Sequence, residues 1–161
     1  MTNALTIDVE EYFHPTELLH CSSVRSWSSF PSRIESQMDR VLELLDRFSV
    51  PATFFVLGWV AERKPAVVQS ILRAGHEIGC HSYAHQLIYT LTPAQFREDT
   101  RRAIAAIENA GGVTPRSYRA PSYSITGRSL WALEILAECG FEYDSSIGPI
   151  VHDRYGIPGW G

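Results

Sequence analysis

Cysteine is scarce and scattered: the 161-residue sequence has only Cys21, Cys80 and Cys139, an odd number in no C-x-x-C arrangement. That argues against a disulfide framework and a thiolate zinc site, and suits a reducing compartment. Basic residues are also few, fourteen Lys and Arg against eighteen Asp and Glu for a net charge of −4, and they form no block. A phosphate-tracking surface is therefore disfavoured, and no nucleic-acid partner is expected. No apolar run approaches the roughly 18 residues of a membrane span. Met1 to Glu11 carry three acids and no Lys or Arg, the reverse of a secretory n-region. The expectation is a soluble, cytoplasmic chain without a membrane span, although a removed leader would leave the same trace. Linkers and internal repeats are missing as well. What remains is globular: 45% hydrophobic, 20% charged, with seven Phe, seven Tyr and four Trp, enough for one domain over residues 1–161.

Short apolar runs alternate with amphipathic ones. Strands are expected at Ala4–Val9, Ala52–Leu57, His76–Cys80, Ser117–Ala120 and Phe141–Asp144. Between them, apolar residues at spacings of three and four mark helices over Ser32–Phe48, with Ser32 as cap, and from Pro65 through Leu72. Further helices are expected from Thr92-Pro93 to Gly111-Gly112, and from Thr126 as cap to Gly140. Such alternation without hairpin signals argues for parallel strands joined by helical crossovers, an α/β sheet or barrel. After Ser145 the pattern lapses into Gly- and Pro-rich loop, short of the eight strands of a standard barrel, so a missing C-terminal portion is expected. An incomplete barrel would expose strand edges and favour self-association.

Side chains alternate along the first strand, so Thr6, Asp8 and Glu10 share one face while Glu11 points to the other. Two carboxylates at the C-terminal end of a parallel strand lie where α/β folds build sites, though ordinary acidic caps occur there too. His81 and His85 follow the third strand at a spacing of four, which on a helical turn aims both imidazoles one way. With a carboxylate they would make a His, His, carboxylate set, the composition of a catalytic zinc site; a surface accident and a structural hydrogen-bonded pair are the other readings. Arg119 ends the fourth strand, either beside Asp8 or as a rim cation. His14, His20, His76 and His152 lack a partner at ligand spacing and read as structural or rim residues. Phe54, Phe55, Phe96, Trp131 and Phe141 read as core. Tyr12, Phe13, Tyr83, Tyr123 and Trp160 lie in loops, where they either stack on sugar rings or pack.

In order along the chain, Thr6-Ile7-Asp8-Val9-Glu10, the block from Gly75 through His81 to His85, Tyr118-Arg119-Ala120-Pro121-Ser122-Tyr123 and Tyr143-Asp144-Ser145-Ser146 resemble four motifs of the polysaccharide deacetylases. This is the NodB-homology group, carbohydrate esterase family 4. The opening D-V-E-x-Y-F and the run His152 to Pro158 resemble the subgroup linked to bacterial exopolysaccharide and exosortase loci. The resemblance implies a distorted (β/α) barrel of about seven strands, of which this chain supplies about five. It implies metal-dependent removal of N-acetyl groups from an amino-sugar polysaccharide, with release of acetate. Asp8 would be the general base, Arg119 would orient it, and the Ser122 backbone N–H would stabilise the oxyanion. Glu10, His81 and His85 would hold a divalent metal, Zn2+ first among candidates, and Pro121, Tyr123 and Asp144 would line the substrate. Family members commonly have Asp where this chain has Glu10, and Tyr directly after Pro where it has Ser122. The family's Leu-x-His motif, whose His protonates the leaving amine, has no counterpart here, so weak turnover is expected unless His152 or another group substitutes. Two other readings stay open: a silent metal- or glycan-binding module, and a metal-free hydrolase of another C–N bond.

Overall fold

The structure, a computed structural model, describes residues 3–18 and 20–160; the loop reading at Gly161 lies outside them. Five strands, β1 (Thr6–Val9), β2 (Thr53–Val56), β3 (Glu77–Cys80), β4 (Ser117–Tyr118) and β5 (Tyr143–Asp144), form one parallel sheet in the order β1-β2-β3-β4-β5. Each is shorter than the apolar run that encodes it. Only the residues paired with a neighbour form strand; of the flanking apolar residues Ala52, Leu57, Ala120 and Phe141 are buried outside the strands, whereas Leu5 is exposed.

Five α-helices connect the strands: α1 (Ile34–Phe48), α2 (Gly58–Arg63), α3 (Pro65–Arg73), α4 (Pro93–Gly111) and α5 (Trp131–Glu138). Three differ from the sequence reading. Helix α2 was not expected; its six residues are too few to show a period. Helix α5 starts at Trp131, and the Thr126 N–H instead bonds Ser129 Oγ within a turn. Ser32 does not cap α1. Its N-terminal amides, at Arg33 and Ile34, donate at 3.1–3.4 Å to the Glu11 carboxylate, which reaches them from the end of β1. A buried carboxylate on a helix N-terminus satisfies orphan donors and the dipole together. Helix α4 has the capping box of the sequence, Thr92 with Gln95.

Val9, Phe54, Val56, Ile71, Cys80, Phe96, Ile107 and Tyr118 form the core between sheet and helices. On the opposite sheet face the register aligns Asp8 with Phe55 and Phe55 with Gly79. A Cβ on Gly79 would stand 2.6 Å from the Phe55 ring and 2.7 Å from Ser117 Oγ, closer than real carbon contacts allow. Gly79→Ala is therefore expected to lose about 1–3 kcal/mol of stability through overpacking, read as a lower urea midpoint. An unchanged midpoint would show that Phe55 can move aside freely.

Candidate active site

The site lies at the C-terminal ends of β1, β3 and β4. Pleating does the first part of the work. Thr6, Asp8 and Glu10 face one way, and each meets a partner there: Arg119 Nη2 donates to Thr6 Oγ1 at 2.8 Å, Arg119 Nη1 donates to Asp8 Oδ1 at 2.9 Å, and Glu10 Oε2 lies 3.1 Å from His85 Nε2. Glu11 faces away, onto α1.

Arg119 is buried rather than on the rim. Besides Asp8 and Thr6, its Nη2 donates to Ser145 Oγ at 2.9 Å and its Nε to the Ser145 carbonyl at 3.4 Å. The guanidinium lies over the Phe55 ring, 4.3 Å from its centroid. Asp8 is thus fixed through Oδ1, while Oδ2 points toward His81, whose Nε2 is 4.0 Å away.

The two histidines do not sit on a helical turn, contrary to the sequence expectation. Residues 81–85 form an irregular loop in which Ser82 (φ 63°) and His85 (φ 50°) take left-handed backbone conformations. Ser122 (φ 49°) and Tyr123 (φ 52°) do the same after β4, so four of the five described non-glycine residues with positive φ fall in the two loops of the site. Such strain persists only where surroundings enforce it. Around the histidine loop the enforcement is visible. Asp99 on α4 accepts from the N–H of Tyr83 (2.8 Å) and Ala84 (3.1 Å), while the first amides of α2 donate to the carbonyls of Ser82 (2.8 Å) and Tyr83 (3.2 Å). Burial raises the Asp99 pKa, and these two amides oppose that shift. No sequence signal marks Asp99 as an anchor; it is one acid among many on a long helix.

One donor atom each from Glu10, His81 and His85 lies within 4.8 Å of the others. His81 Nδ1 donates to the Arg119 carbonyl at 2.8 Å, which leaves its Nε2 lone pair facing the cleft. Glu10 Oε2 is buried without a hydrogen bond despite its 3.1 Å approach to His85 Nε2. The two atoms come close without aligning as a hydrogen bond, so Glu10 Oε2 stays open to a further partner. Burial, with the Asp8 and Glu17 charges adding, raises the Glu10 pKa to about 7; burial lowers His85 to about 3 and pushes His81 down as well. Two neutral imidazoles and an orphaned carboxylate fit a divalent cation.

The remaining sequence candidates are placed as follows. Pro121 is buried at the start of the Ser122 turn, and Ser122 Oγ lies 3.1 Å from Thr16 Oγ1. Tyr123 is exposed at the mouth of the site. Asp144 is occupied by Ser146, which donates its N–H and its hydroxyl; the same hydroxyl accepts from the Ala120 amide, so Asp144 steadies the end of β4. Of the loop aromatics, Phe13 and Tyr83 are buried and Tyr12 and Trp160 exposed. His14 is a core residue against Trp27 and Trp59, its Nδ1 accepting from the Glu11 amide, and burial lowers its pKa to about 3.

Residues 27–143 match the polysaccharide deacetylase family model. The chain belongs to the polysaccharide deacetylase family. It is 30% identical to a peptidoglycan deacetylase of Helicobacter pylori over 113 residues, 70% of this chain and 38% of that protein. It is 34% identical to a chitooligosaccharide deacetylase of Bradyrhizobium over 98 residues, 60% of this chain and 42% of that one. A Mycobacterium smegmatis structure described as a polysaccharide deacetylase superposes with a TM-score of 0.73 at 35% identity, covering 89% of this chain and 50% of that one. The chain thus spans about two fifths to one half of the length of these relatives. The five parallel strands are the α/β architecture of that family.

Proposed function

We propose that this chain carries the catalytic centre of a metal-dependent polysaccharide N-deacetylase, removing N-acetyl groups from an amino-sugar polysaccharide and releasing acetate. The observation that carries the reading is the convergence of Glu10, His81 and His85 beside an Asp8 clamped by a buried Arg119. A divalent cation on the first three, Zn2+ by the match to two imidazoles and one carboxylate, would polarise the acetamide carbonyl and acidify a water. Asp8 Oδ2, the oxygen Arg119 leaves free, is placed as the base that would accept a proton from the attacking water. The Ser122 backbone N–H stabilises the developing oxyanion, and Tyr123 offers a ring face to the sugar. Pro121 shapes that turn and Asp144 supports it through Ser146. The relatives named for peptidoglycan and chito-oligosaccharides support N-acetylglucosamine polymers as the substrate class. The Asp8-to-Phe13 and His152-to-Pro158 runs support an exopolysaccharide as the polymer. No described helix is long and apolar enough to cross a membrane.

Acetate release from tetra-N-acetylchitotetraose by the zinc-loaded chain tests this. Asp8→Asn is expected to lower the rate about 10²- to 10⁴-fold while leaving one zinc per chain. Equal rates in the two proteins, or no release by either, would overturn the proposal.

A further inference from the structure

The loop after β5 lays a row of rings away from the catalytic residues. Tyr123, 39% exposed, has the Arg119 guanidinium 5.6 Å from its ring centroid and the Tyr155 ring 5.8 Å away. Tyr155 in turn stacks on His152, with centroids 3.9 Å apart and planes at 19°. The loop is fastened to the segment after β1 by Arg154, whose guanidinium lies 2.5 Å from Glu17 Oε1. Beside this row is a cavity of about 250 Å³, whose lining includes Tyr89, Arg128, His152, Asp153, Arg154 and Tyr155. Its size suits one sugar unit rather than a polymer segment.

The charges in that cavity are unequal. Arg154 is occupied by Glu17, while the Asp153 carboxylate lies 82% exposed at the rim, 2.8 Å from His152 Nδ1, which accepts from the Arg154 amide at 3.2 Å. Arg128 has no carboxylate at ion-pair distance among the described residues, and it is exposed in the turn before α5. Tyr155, held between His152 and Tyr123, fixes the exposed Tyr123 ring that can meet the apolar face of a pyranose, and an unpaired guanidinium offers a fork of donors matched to a carboxylate. We propose that this cavity is a subsite for a uronic acid unit neighbouring the N-acetylated sugar at Asp8, which makes the preferred polymer an acidic one. The inference rests on the deacetylase reading for the identity of that neighbouring sugar.

The test compares two probes of equal length on the zinc-loaded chain by titration calorimetry: a hyaluronan tetrasaccharide, in which uronates alternate with N-acetylglucosamine, and neutral tetra-N-acetylchitotetraose. The acidic probe is expected to bind about tenfold tighter, as one charge-assisted hydrogen-bonded pair provides. Arg128→Ala should bring it to the level of the neutral probe and leave the neutral one unchanged. Tyr155→Ala should weaken both. Arg128 is exposed in a turn, so its variant keeps the fold, which zinc stoichiometry verifies. Equal affinity of the native chain for both probes, binding of neither, or a preference that survives Arg128→Ala would overturn the subsite. Acetate release is followed separately: an Arg128-dependent preference without acetate release keeps the subsite and removes the deacetylase reading.

Discussion

Replacing His81 and His85 together by alanine is expected to abolish zinc binding, with calorimetry falling from one metal per chain to none. The loss should exceed 100-fold in affinity, because removing even a supporting residue of a metal ligand costs about 10- to 100-fold. The fold should survive, since the loop is held by Asp99 and by the α2 amides rather than by the imidazoles. The pH dependence of zinc binding by the native chain is the sharper part of the expectation. Burial pushes both imidazoles toward the neutral form, His85 to about 3, whereas Glu10, raised to about 7, must give up its proton to become a ligand. Affinity should therefore fall about tenfold per pH unit below 7, with one proton released per metal, as buffers of different ionisation enthalpy would report. A two-proton dependence centred near 6.5 would place the titration on the histidines and contradict the burial of the pair.

The same carboxylate sets a cost on the metal-free fold. Its folded pKa lies above the unfolded value of 4.5, so the folded state holds the proton more tightly and loses stability as pH rises from about 4.5 to 7. Glu10→Gln is expected to stabilise the metal-free chain at pH 8 by about 2–3 kcal/mol while weakening zinc binding. Urea midpoints of the two proteins at pH 5 and pH 8 check the sign: the gap should be small at the lower pH and wide at the higher.

The sequence carries the two faces of β1 legibly because a strand has period two. Once Thr6, Asp8 and Glu10 lie on one face, Glu11 must lie on the other, and both consequences are present in the structure. What stays hidden is anything built from long-range contacts. The spacing of His81 and His85 suggests a helical turn, yet the pair meets in a loop with left-handed residues, enforced by an acid fourteen positions downstream of His85 at Asp99. Glu11 caps a helix that begins 23 residues later, so a search for local caps finds Ser32 instead. Ser145, which takes two bonds from Arg119, is a serine in a turn with nothing to distinguish it in sequence. Local periodicity reports on faces, whereas anchors depend on which elements become neighbours.

Arg119 joins stability and chemistry, and its replacement is expected to damage both. Arg119→Met removes the guanidinium and leaves Asp8 Oδ1, Thr6 Oγ1 and the Ser145 oxygens without their donor in a largely buried site. The cost of breaking such a pair from one side is about 3–5 kcal/mol. Arg119→Lys supplies a charge but no fork, so it can meet Asp8 and not Thr6 and Ser145 together, and should fall between. The origin of the loss can be separated by a cycle. In an Asp8→Asn background no ionised carboxylate is left unpaired, so Arg119→Met should cost markedly less there than in the native chain. Equal costs in the two backgrounds would assign Arg119 to packing on Phe55 rather than to Asp8. For the proposed catalysis, the orientation argument requires that Arg119→Lys lower kcat with little change in KM, since Arg119 holds Asp8, the proposed base, and is not proposed to touch the sugar. A change confined to KM would instead make Arg119 part of the substrate surface, through its neighbour Tyr123.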